Sequence, residues 1–443
     1  MRLLRSRGVR FALALALGAF LALGAFEWRW IYVSFQLARA RGTLALGDSA
    51  HASRALAILQ TVEGFEQPDR PELLFQLGRA HRRTANLKEA LVFLRRAEEA
   101  GWPSRLCVEQ IQLGMFQAGR FDQPGPSLSE LISRDSNDEF AYELYEALSK
   151  GYLHSYRFAD ALQSLEFWIS WRPADIDPRL WRAGVWEQMQ RWEQALAEYQ
   201  ALLERHPDHF EARLALGRIL VSNLNRVDDA RTAFQICLNQ RPDDIGATLG
   251  LAECERRLAE GESAEVRLRA LLQRDLTPDQ LSGTHMQLGQ ILLERRELAE
   301  AIPLLEGVVK SNPQNSIAQY TLGLAYASDG RREEAENLFA KSRELDERYN
   351  RLTDITIILA GKPDQPDLRW EAGQILLDQG MVREGIEWMS TALMYDPNHR
   401  KTHESLARYY ETVKPDPQLA QRHRAKAREA AELEANSASP KVP

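Results

Sequence analysis

Cysteine is scarce in this sequence, which contains only Cys107, Cys237 and Cys254 among 443 residues. Because the three lie far apart and form no C-x-x-C motif, they indicate neither a disulfide framework nor a zinc-binding signature. We expect all three to be small, buried, apolar residues of helices. A bridge between Cys237 and Cys254 is the alternative.

Catalytic motifs are also missing. The sequence contains no glycine-rich phosphate loop, no H-E-x-x-H and no G-x-S-x-G. His399 and His403 lie four residues apart, but no acidic third ligand is placed beside them. Carboxylates occur in runs such as RREEAE, which are typical of solvated helix faces. We therefore predict that the chain is not an enzyme, and we predict no metal site, no cofactor and no small-molecule substrate.

Basic residues are not in excess, since the net charge is −7 at pH 7. A nucleic-acid-binding protein needs a basic surface to neutralise phosphates. This balance argues against a nucleic-acid partner and favours a protein or peptide partner.

Long apolar runs are absent except for one, which extends over 16 residues from Phe11 to Phe26 and follows four arginines. A basic head before an apolar centre is the layout of an export signal. At about 1.5 Å per residue the run spans roughly 24 Å, somewhat less than the ~30 Å hydrocarbon core of a bilayer. Trp28 and Trp30 follow it, and such aromatic residues favour the headgroup region. Residues 1–35 are thus predicted to be a signal or membrane anchor.

Three fates of this segment remain open. An uncleaved helix would make the protein a single-pass protein of the cytoplasmic membrane, with the N-terminus inside because of its arginines and the remainder in the periplasm. Cleavage would release a soluble periplasmic protein. The third alternative is a hydrophobic helix of a cytoplasmic protein.

A repeat of about 34 residues fills most of the remaining sequence. Gly289 and Gly323 lie 34 residues apart, as do Ala301 and Ala335. A fixed period of this size indicates stacked structural units, each of which buries its apolar face against its neighbours. One small residue recurs along the chain as Ala55, Ala90, Ala161, Ala195, Ala230, Ala264, Ala301, Ala335, Gly385 and Ala420.

Each unit is predicted to contain two helices. Apolar residues recur at helical spacing in two blocks of about 13 residues. Polar turns separate the blocks, and Gly330 and Gly380 in these turns are able to end a helix in the left-handed conformation. Since glycine inside a helix costs roughly 1 kcal/mol relative to alanine, its recurrence in first helices indicates close helix packing. These glycines are Gly78, Gly217, Gly289, Gly323 and Gly373.

In this pattern the sequence resembles tetratricopeptide-repeat proteins of the bacterial envelope type, with an N-terminal signal or anchor. The resemblance covers residues 37–430, and its most specific part is 282–349. It implies an all-α fold: a right-handed α-solenoid of about ten helix hairpins, preceded by one N-terminal hydrophobic helix.

Departures from the period suggest the domain organisation. Residues 36–349 form the main array, with an irregular unit near 104–138 because Pro124 and Pro126 fall where a second helix should begin. A 16-residue excess in spacing marks 350–366 as an insert, interpreted as a turn or an extra short helix that acts as a joint. Residues 367–430 hold two further units, and 431–443 are predicted to be a disordered tail.

Five tryptophans lie between Trp168 and Trp192. The repeat pattern buries Trp168, Trp186 and Trp192. Trp171 and Trp181 fall outside the pattern and could form an exposed aromatic patch for binding.

The resemblance also implies that first helices line a concave groove in which peptides bind. The inward residues of early repeats are charged: Arg79, Arg82, Glu143 and Lys150. Later inward residues are apolar, with arginine and glutamine between them. A superhelix that packs several of these against its own neighbours is the alternative. The candidate binding residues are Arg218, Leu249, Met286, Gln290, Leu293, Tyr320, Leu324, Trp370 and Gln374.

These observations favour a non-catalytic scaffold for protein–protein interaction, exported or tethered to the membrane. A more specific version is an assembly factor for envelope complexes. The alternative is an accessory or regulatory subunit of an enzyme whose catalytic chain is separate.

Overall fold

The computed structural model describes residues 31–45, 49–63, 70–121 and 138–438, and in this part of the chain all regular structure is helical. The described residues up to His154 form one compact unit, unit 1, and those from Ser155 form a second, unit 2. Unit 1 contains α1 (31–45), α2 (Ser49–Glu63), α3 (Pro71–Arg83), α4 (Leu87–Glu99), α5 (Ser104–Gln117) and α6 (Asp138–His154).

Unit 2 begins with α7 (Phe158–Trp171) and continues as seven helix pairs. In each pair we call the earlier helix the first helix and the later one the second helix. The pairs are α8 (Asp177–Gln188) and α9 (Trp192–Arg205), α10 (Phe210–Ser222) and α11 (Val227–Gln240), α12 (Ile245–Arg257) and α13 (Gly261–Leu271), α14 (Pro278–Glu294) and α15 (Leu298–Ser311), α16 (Ser316–Ser328) and α17 (Arg332–Gly361), α18 (Pro366–Asp378) and α19 (Val382–Tyr395), and α20 (Arg400–Thr412) and α21 (Pro417–Ala438). The helix hairpins of an α-solenoid are therefore confirmed.

The small residues that recur along the sequence lie in the core of the array. All ten, from Ala55 to Ala420, are buried. Cys107, Cys237 and Cys254 are also buried, and all three are free thiols, so the bridge between Cys237 and Cys254 is not formed.

The glycines of first helices lie where the paired second helix is nearest. A Cβ on Gly289 would lie 2.7 Å from Leu305 Cδ2, and one on Gly323 would lie 2.6 Å from Phe339 Cε1. Real Cβ atoms do not approach other atoms so closely, which is why these positions lack a side chain. The same relation joins Gly78 with Leu94, Gly217 with Phe234, and Gly373 with Met389.

Turns between paired helices use the left-handed backbone conformation. Gly330 and Gly380 adopt it as predicted, with φ of 86° and 79°. Residues with a side chain adopt it in other turns, although it costs them about 1–2 kcal/mol. The periodicity of the sequence did not indicate these positions, which in unit 2 include Gln190, Asn225, Ala259 and Arg296.

Two segments differ from the predicted boundaries. Residues 350–361 continue α17, which has 30 residues, so no separate short helix forms in the insert and only residues 362–365 connect α17 to α18. Helix α21 extends to Ala438, eight residues into the predicted disordered tail. In both places the apolar or helix-favouring residues extend an existing helix, which needs no new nucleation.

The predicted anchor residues Phe11, Phe26, Trp28 and Trp30 lie outside the described residues. So do residues 122–137 of the predicted irregular unit. Within the described ranges, none of the helices has both the length and the apolar character needed to cross a membrane. Helix α1 includes residues 31–35 of the predicted anchor segment, and Val33 packs in the core of unit 1 with Ala52 and Leu59.

Candidate functional site

The first helices of unit 2 form its inner wall. Helix α10 contacts α12, α12 contacts α14, and α14 contacts α16, whereas the second helices approach one another less closely. A stack in which only one set of helices converges is curved, with that set on the inside. The candidate binding residues belong to these inner helices.

Arg218 and Leu249 lie together in one cavity of this wall. The cavity has a volume of about 270 Å³, and Leu214, Glu253 and Gln287 also line it. The guanidinium of Arg218 is not free, because its Nη2 lies 2.9 Å from Glu187 Oε2. The cavity therefore has an apolar floor and an ion pair at its edge.

Met286, Gln290 and Leu293 on α14 are half-buried. Met286 and Leu293 pack against the core around Leu305 and Leu322. The alternative raised from the sequence, that the superhelix packs inward residues against its own neighbours, thus applies to these two. The side chains of Met286 and Leu293 therefore stabilise the wall and leave little surface for a partner to contact.

Helix α16 carries the most accessible apolar surface of the wall. Tyr320 and Leu324 are 51% and 38% exposed, and Ile317 on the same face is 63% exposed. Because residues three and four apart share a helix face, these three side chains form one stripe. The Tyr320 ring leans on Phe339, with ring centroids 5.4 Å apart. Ile317 was missed from the sequence, although its position three residues before Tyr320 is a sufficient signal.

Trp370 and Gln374 on α18 are tied to the neighbouring first helix. Trp370 Nε1 donates a hydrogen bond of 3.0 Å to Ser405 Oγ, and Ser405 Oγ donates one of 3.3 Å to Gln374 Oε1. Lys401 Nζ lies 5.2 Å from the centre of the Trp370 ring. These two predicted residues therefore join α18 to α20.

Charged side chains of the wall neutralise each other. Arg256 bridges α12 and α14, with its Nη2 2.9 Å from Glu253 and its Nη1 2.5 Å from Glu294. Glu371 of α18 is paired with Arg351 of the second helix α17, whose Nε lies 2.6 Å from Glu371 Oε1. Arg218 is also paired, so the accessible part of the wall is the apolar stripe, and the charged side chains around it are engaged in ion pairs with each other.

In unit 1 the inward charges form a buried network of their own. Arg79 Nη2 lies 2.6 Å from Glu143 Oε1, and Arg82 Nη2 lies 2.9 Å from Glu143 Oε2. Arg83 and Lys150 both contact Glu146, at 2.9 and 2.8 Å. These side chains fill the inward face of unit 1, so the candidate site lies in unit 2.

The ion pairs decide the protonation of this network. Burial by itself would raise the pKa of Glu143, but Arg79, Arg82 and Arg83 outweigh burial and hold that pKa well below its usual range. Burial opposes ionisation of Glu146 in the same way, and Lys150 and Arg83 lower its pKa. Both carboxyl groups are therefore ionised throughout the neutral range.

With this geometry established, two segments of the chain match a family model. Residues 187–245 and 286–349, both in unit 2, match the model described as tetratricopeptide repeat. The chain carries tetratricopeptide repeats. Such repeats are typically non-catalytic modules that mediate protein–protein interactions and bind peptides.

Known proteins share parts of the array. The chain is 27% identical over 121 residues to mouse (Mus musculus) DnaJ homolog subfamily C member 3, a match that covers 27% of this chain and 21% of the mouse protein. The chain thus aligns with about a fifth of this curated relative. Among solved structures, YrrB, described as a tetratricopeptide-repeat protein with an unusual peptide-binding site, is 22% identical over 42% of this chain and 93% of its own, with a TM-score of 0.31. A tetratricopeptide repeat protein from Parabacteroides merdae is 16% identical over 66% and 98%, with a TM-score of 0.35.

The tryptophan-rich repeat is mostly core. Trp168 is fully buried, and Trp181 packs edge-on against it with ring centroids 5.5 Å apart. Trp186 and Trp192 are half-buried in the core between α8 and α10. Trp171 alone of the predicted patch is exposed, and Arg172 covers its ring at 4.6 Å. The predicted patch is therefore reduced to one partly covered ring.

Two histidines of the last helix pair lie against each other. His403 Nδ1 lies 2.9 Å from His423 Nδ1, and the ring centroids are 5.2 Å apart. His403 Nε2 contacts the Pro397 carbonyl at 2.9 Å and donates a hydrogen bond to it. Burial lowers the pKa of His423 to about 4. The two imidazoles therefore join α20 to α21.

Proposed function

We propose that the chain is a non-catalytic scaffold that holds a protein or peptide partner along the first helices of unit 2, from α10 to α18. The observation that carries this proposal is the stripe of Ile317, Tyr320 and Leu324 on α16, which leaves three large apolar side chains accessible on the inner wall. Contiguous exposed apolar surface marks interaction sites in folded proteins.

Burial of this stripe supplies binding energy. Complete burial of one large apolar side chain contributes about 1.5–3 kcal/mol, so three partly exposed ones contribute several kcal/mol. Tyrosine is a frequent interface anchor because its ring is large and rigid. The compensated charges nearby offer no net attraction to an acidic or basic partner, so the groove favours a segment with apolar side chains.

The best test replaces Tyr320 and Leu324 with glutamate. Both side chains are exposed, so the variant keeps its helical content, but a carboxylate buried against an apolar partner costs several kcal/mol. We expect partner affinity to fall at least about 100-fold. Leu293 and Trp370 are less suitable, because the first packs in the core and the second binds Ser405.

Measurement begins with co-purification by the full chain and identification of the captured protein, followed by titration with that protein. Tyr349→Glu is the matched control, because Tyr349 is 57% exposed on the second helix α17, away from the stripe. An unchanged affinity of the Tyr320→Glu/Leu324→Glu variant would contradict the groove proposal.

Export or membrane tethering of this scaffold is proposed on the composition of residues 1–35 alone. An N-terminal signal would place the repeats in the periplasm, either anchored or released. Sequencing the N-terminus of the mature protein and fractionating cells test this part. An intact N-terminus in the cytoplasmic fraction would exclude export.

Two versions of the scaffold differ in their partners. An assembly factor for envelope complexes would co-purify with a varying set of unfolded clients, since a tethered array concentrates them near the membrane. An accessory subunit would co-purify with one enzyme in fixed stoichiometry. The apolar, charge-compensated stripe favours the first version, because exposed apolar segments are common to many unfolded clients.

A further inference from the structure

Helix α17 is much longer than the other second helices. Helices α9, α11, α15 and α19 have 14 residues each, whereas α17 has 30. The additional residues, 346–361, extend the helix by about 24 Å. We call these residues the α17 extension.

The extension reaches the beginning of unit 2. Helix α17 packs against α7, and Thr353 Oγ1 accepts a hydrogen bond of 2.8 Å from Gln190 Nε2 in the turn between α8 and α9. Ile355 and Leu359 lie in one apolar cluster with Tyr156 and Trp388. Residues far apart in sequence are thereby joined, and one turn of the superhelix is closed.

Two further contacts reinforce the closure. The rings of Tyr156 and Trp388 are stacked, with centroids 4.0 Å apart and planes at 16°. Arg369 Nη1 donates a hydrogen bond of 3.2 Å to the Ser155 carbonyl, across 214 positions of sequence. Each contact joins the start of unit 2 to the helices that follow the α17 extension.

Arg369 makes the closed state less stable than its packing suggests. Its side chain is fully buried, yet its partners are the Pro363 and Ser155 carbonyls, the Thr391 hydroxyl and the face of the Tyr395 ring. No carboxylate forms an ion pair with it among the described residues, and Nη2 has no hydrogen-bond partner. Burial of a cation without a countercharge is unfavourable, and opening would rehydrate it.

We propose that the α17 extension and Arg369 form a reversible closure of unit 2, and that its release regulates the access of a partner to the first helices between α8 and α18. The regulatory part rests on the groove function proposed above. The closure itself does not, because it is a contact of the chain with itself.

The first test locks the closure. A short bis-maleimide should cross-link a Gln190→Cys/Thr353→Cys variant of the full chain within the monomer, because the two native side chains meet in a hydrogen bond of 2.8 Å. The three native cysteines are buried and should stay unmodified. Gln190→Cys/Ile358→Cys is the matched control, since position 358 lies about 140° around the helix from position 353. Failure of the first pair to cross-link faster than the control pair would overturn the closure.

The second test releases the closure. Tyr156→Ala removes the stacked ring, and we expect amide exchange of residues 350–361 to become about tenfold faster. Tyr349→Ala should leave exchange unchanged, because the Tyr349 ring is 57% exposed and is not part of the apolar cluster of Ile355 and Leu359. Equal exchange in both variants would overturn the idea that the closure opens by release of these contacts. A Gln190→Ala/Thr353→Ala variant repeats the test without touching the apolar core.

Access to the groove is measured without any natural partner. Tyr320→Cys places an exposed thiol on the stripe, and a bulky polyethylene-glycol maleimide should label it several-fold faster beside Tyr156→Ala than beside Tyr349→Ala. A small maleimide should label both at the same rate. Equal labelling by the bulky reagent would overturn the regulatory proposal and leave the groove proposal standing. Unimpaired partner binding by the Tyr320→Glu/Leu324→Glu variant would overturn the groove proposal and the regulatory part that rests on it, and would leave the closure itself standing.

Discussion

Replacement of Glu143 by glutamine should lower the free energy of unfolding of unit 1 by about 3–5 kcal/mol. The carboxylate is buried and accepts contacts from Arg79 and Arg82 on α3, at 2.6 and 2.9 Å. Gln110 Nε2 on α5 also donates to it, at 2.6 Å. One side chain of α6 thus neutralises charges on α3 and binds α5.

The magnitude follows from what the variant leaves behind. Arg82 is fully buried, and its other partners are the amide oxygens of Gln110 and Gln117. Without Glu143 its charge has no carboxylate in contact, and desolvation is no longer offset. The NH₂ group of the new glutamine would also face the N–H groups of the arginines, and two donors cannot form a hydrogen bond with each other. Removal of one partner therefore lowers the free energy of unfolding by more than the intact ion pair adds to it in the wild type.

Chemical unfolding followed by circular dichroism measures this effect in the full chain. Glu99→Gln is the control, because Glu99 is exposed on α4 and its replacement should change stability by less than about 0.5 kcal/mol. If Glu143→Gln and Glu99→Gln unfold at the same denaturant concentration, the buried ion pairs do not hold unit 1 together.

Acid should have the same effect on the wild type. The pKa of Glu143 in the folded state lies below its ordinary value of 4.5 because Arg79, Arg82 and Arg83 overcome the effect of burial. A carboxyl group with a depressed pKa contributes stability that is complete above the unfolded pKa and is lost as the pH falls through the folded pKa. Stability of unit 1 should therefore decrease below about pH 4.5, and Glu143→Gln should flatten that dependence.

Contacts within one repeat could be predicted from the sequence. The spacing of Gly289 and Leu305 recurs in Gly323 and Phe339, and in both pairs the glycine lies against the large residue. Such contacts depend on helical periodicity and on the distance between two adjacent helices. Both are local properties, so the residues that make these contacts recur with the 34-residue period of the sequence.

The position of the insert in the fold could not be predicted from contacts within one repeat. Spacing alone indicated 16 additional residues, and α17 is longer than a regular second helix by that number. The path of those residues depends on Gln190 and Tyr156, whose contacts come from much earlier in the chain. No period relates these positions, so the sequence could give the length of the extension but not its partner.

The candidate groove was predicted only in part, because the accessibility of its side chains depends on contacts between repeats. Periodicity gives the direction of a side chain, so Tyr320 and Trp370 were both expected on the inner wall. Whether such a side chain stays accessible depends on the adjacent repeat: Ser405 engages Trp370, whereas Tyr320 is half exposed. In unit 1, likewise, the direction of Arg82 and Glu143 was predicted but their pairing with each other was not.

Replacement of Gly151 by alanine should lower the free energy of unfolding of unit 1 by at least about 3 kcal/mol. A Cβ at position 151 would overlap the carbonyl oxygen of Phe116 and would lie 2.7 Å from its carbonyl carbon. Both atoms belong to the backbone of α5, so no change of rotamer relieves the overlap. Helix α6 must move away from α5, and the stacking of Phe121 on Tyr152 at 4.6 Å would be lost with it.

Gly42→Ala in α1 is the matched control, because none of the described residues lies within 4 Å of a Cβ there and alanine should stabilise the helix by up to about 1 kcal/mol. Equal stabilities of Gly151→Ala and the wild type would mean that α5 and α6 are not in close contact. Because Glu143 and Gly151 lie on the same helix and both act on its packing against α5, their effects should not add. The double variant Glu143→Gln/Gly151→Ala should lose less stability than the sum of the two, since a helix already displaced from α5 no longer buries the charge of Arg82.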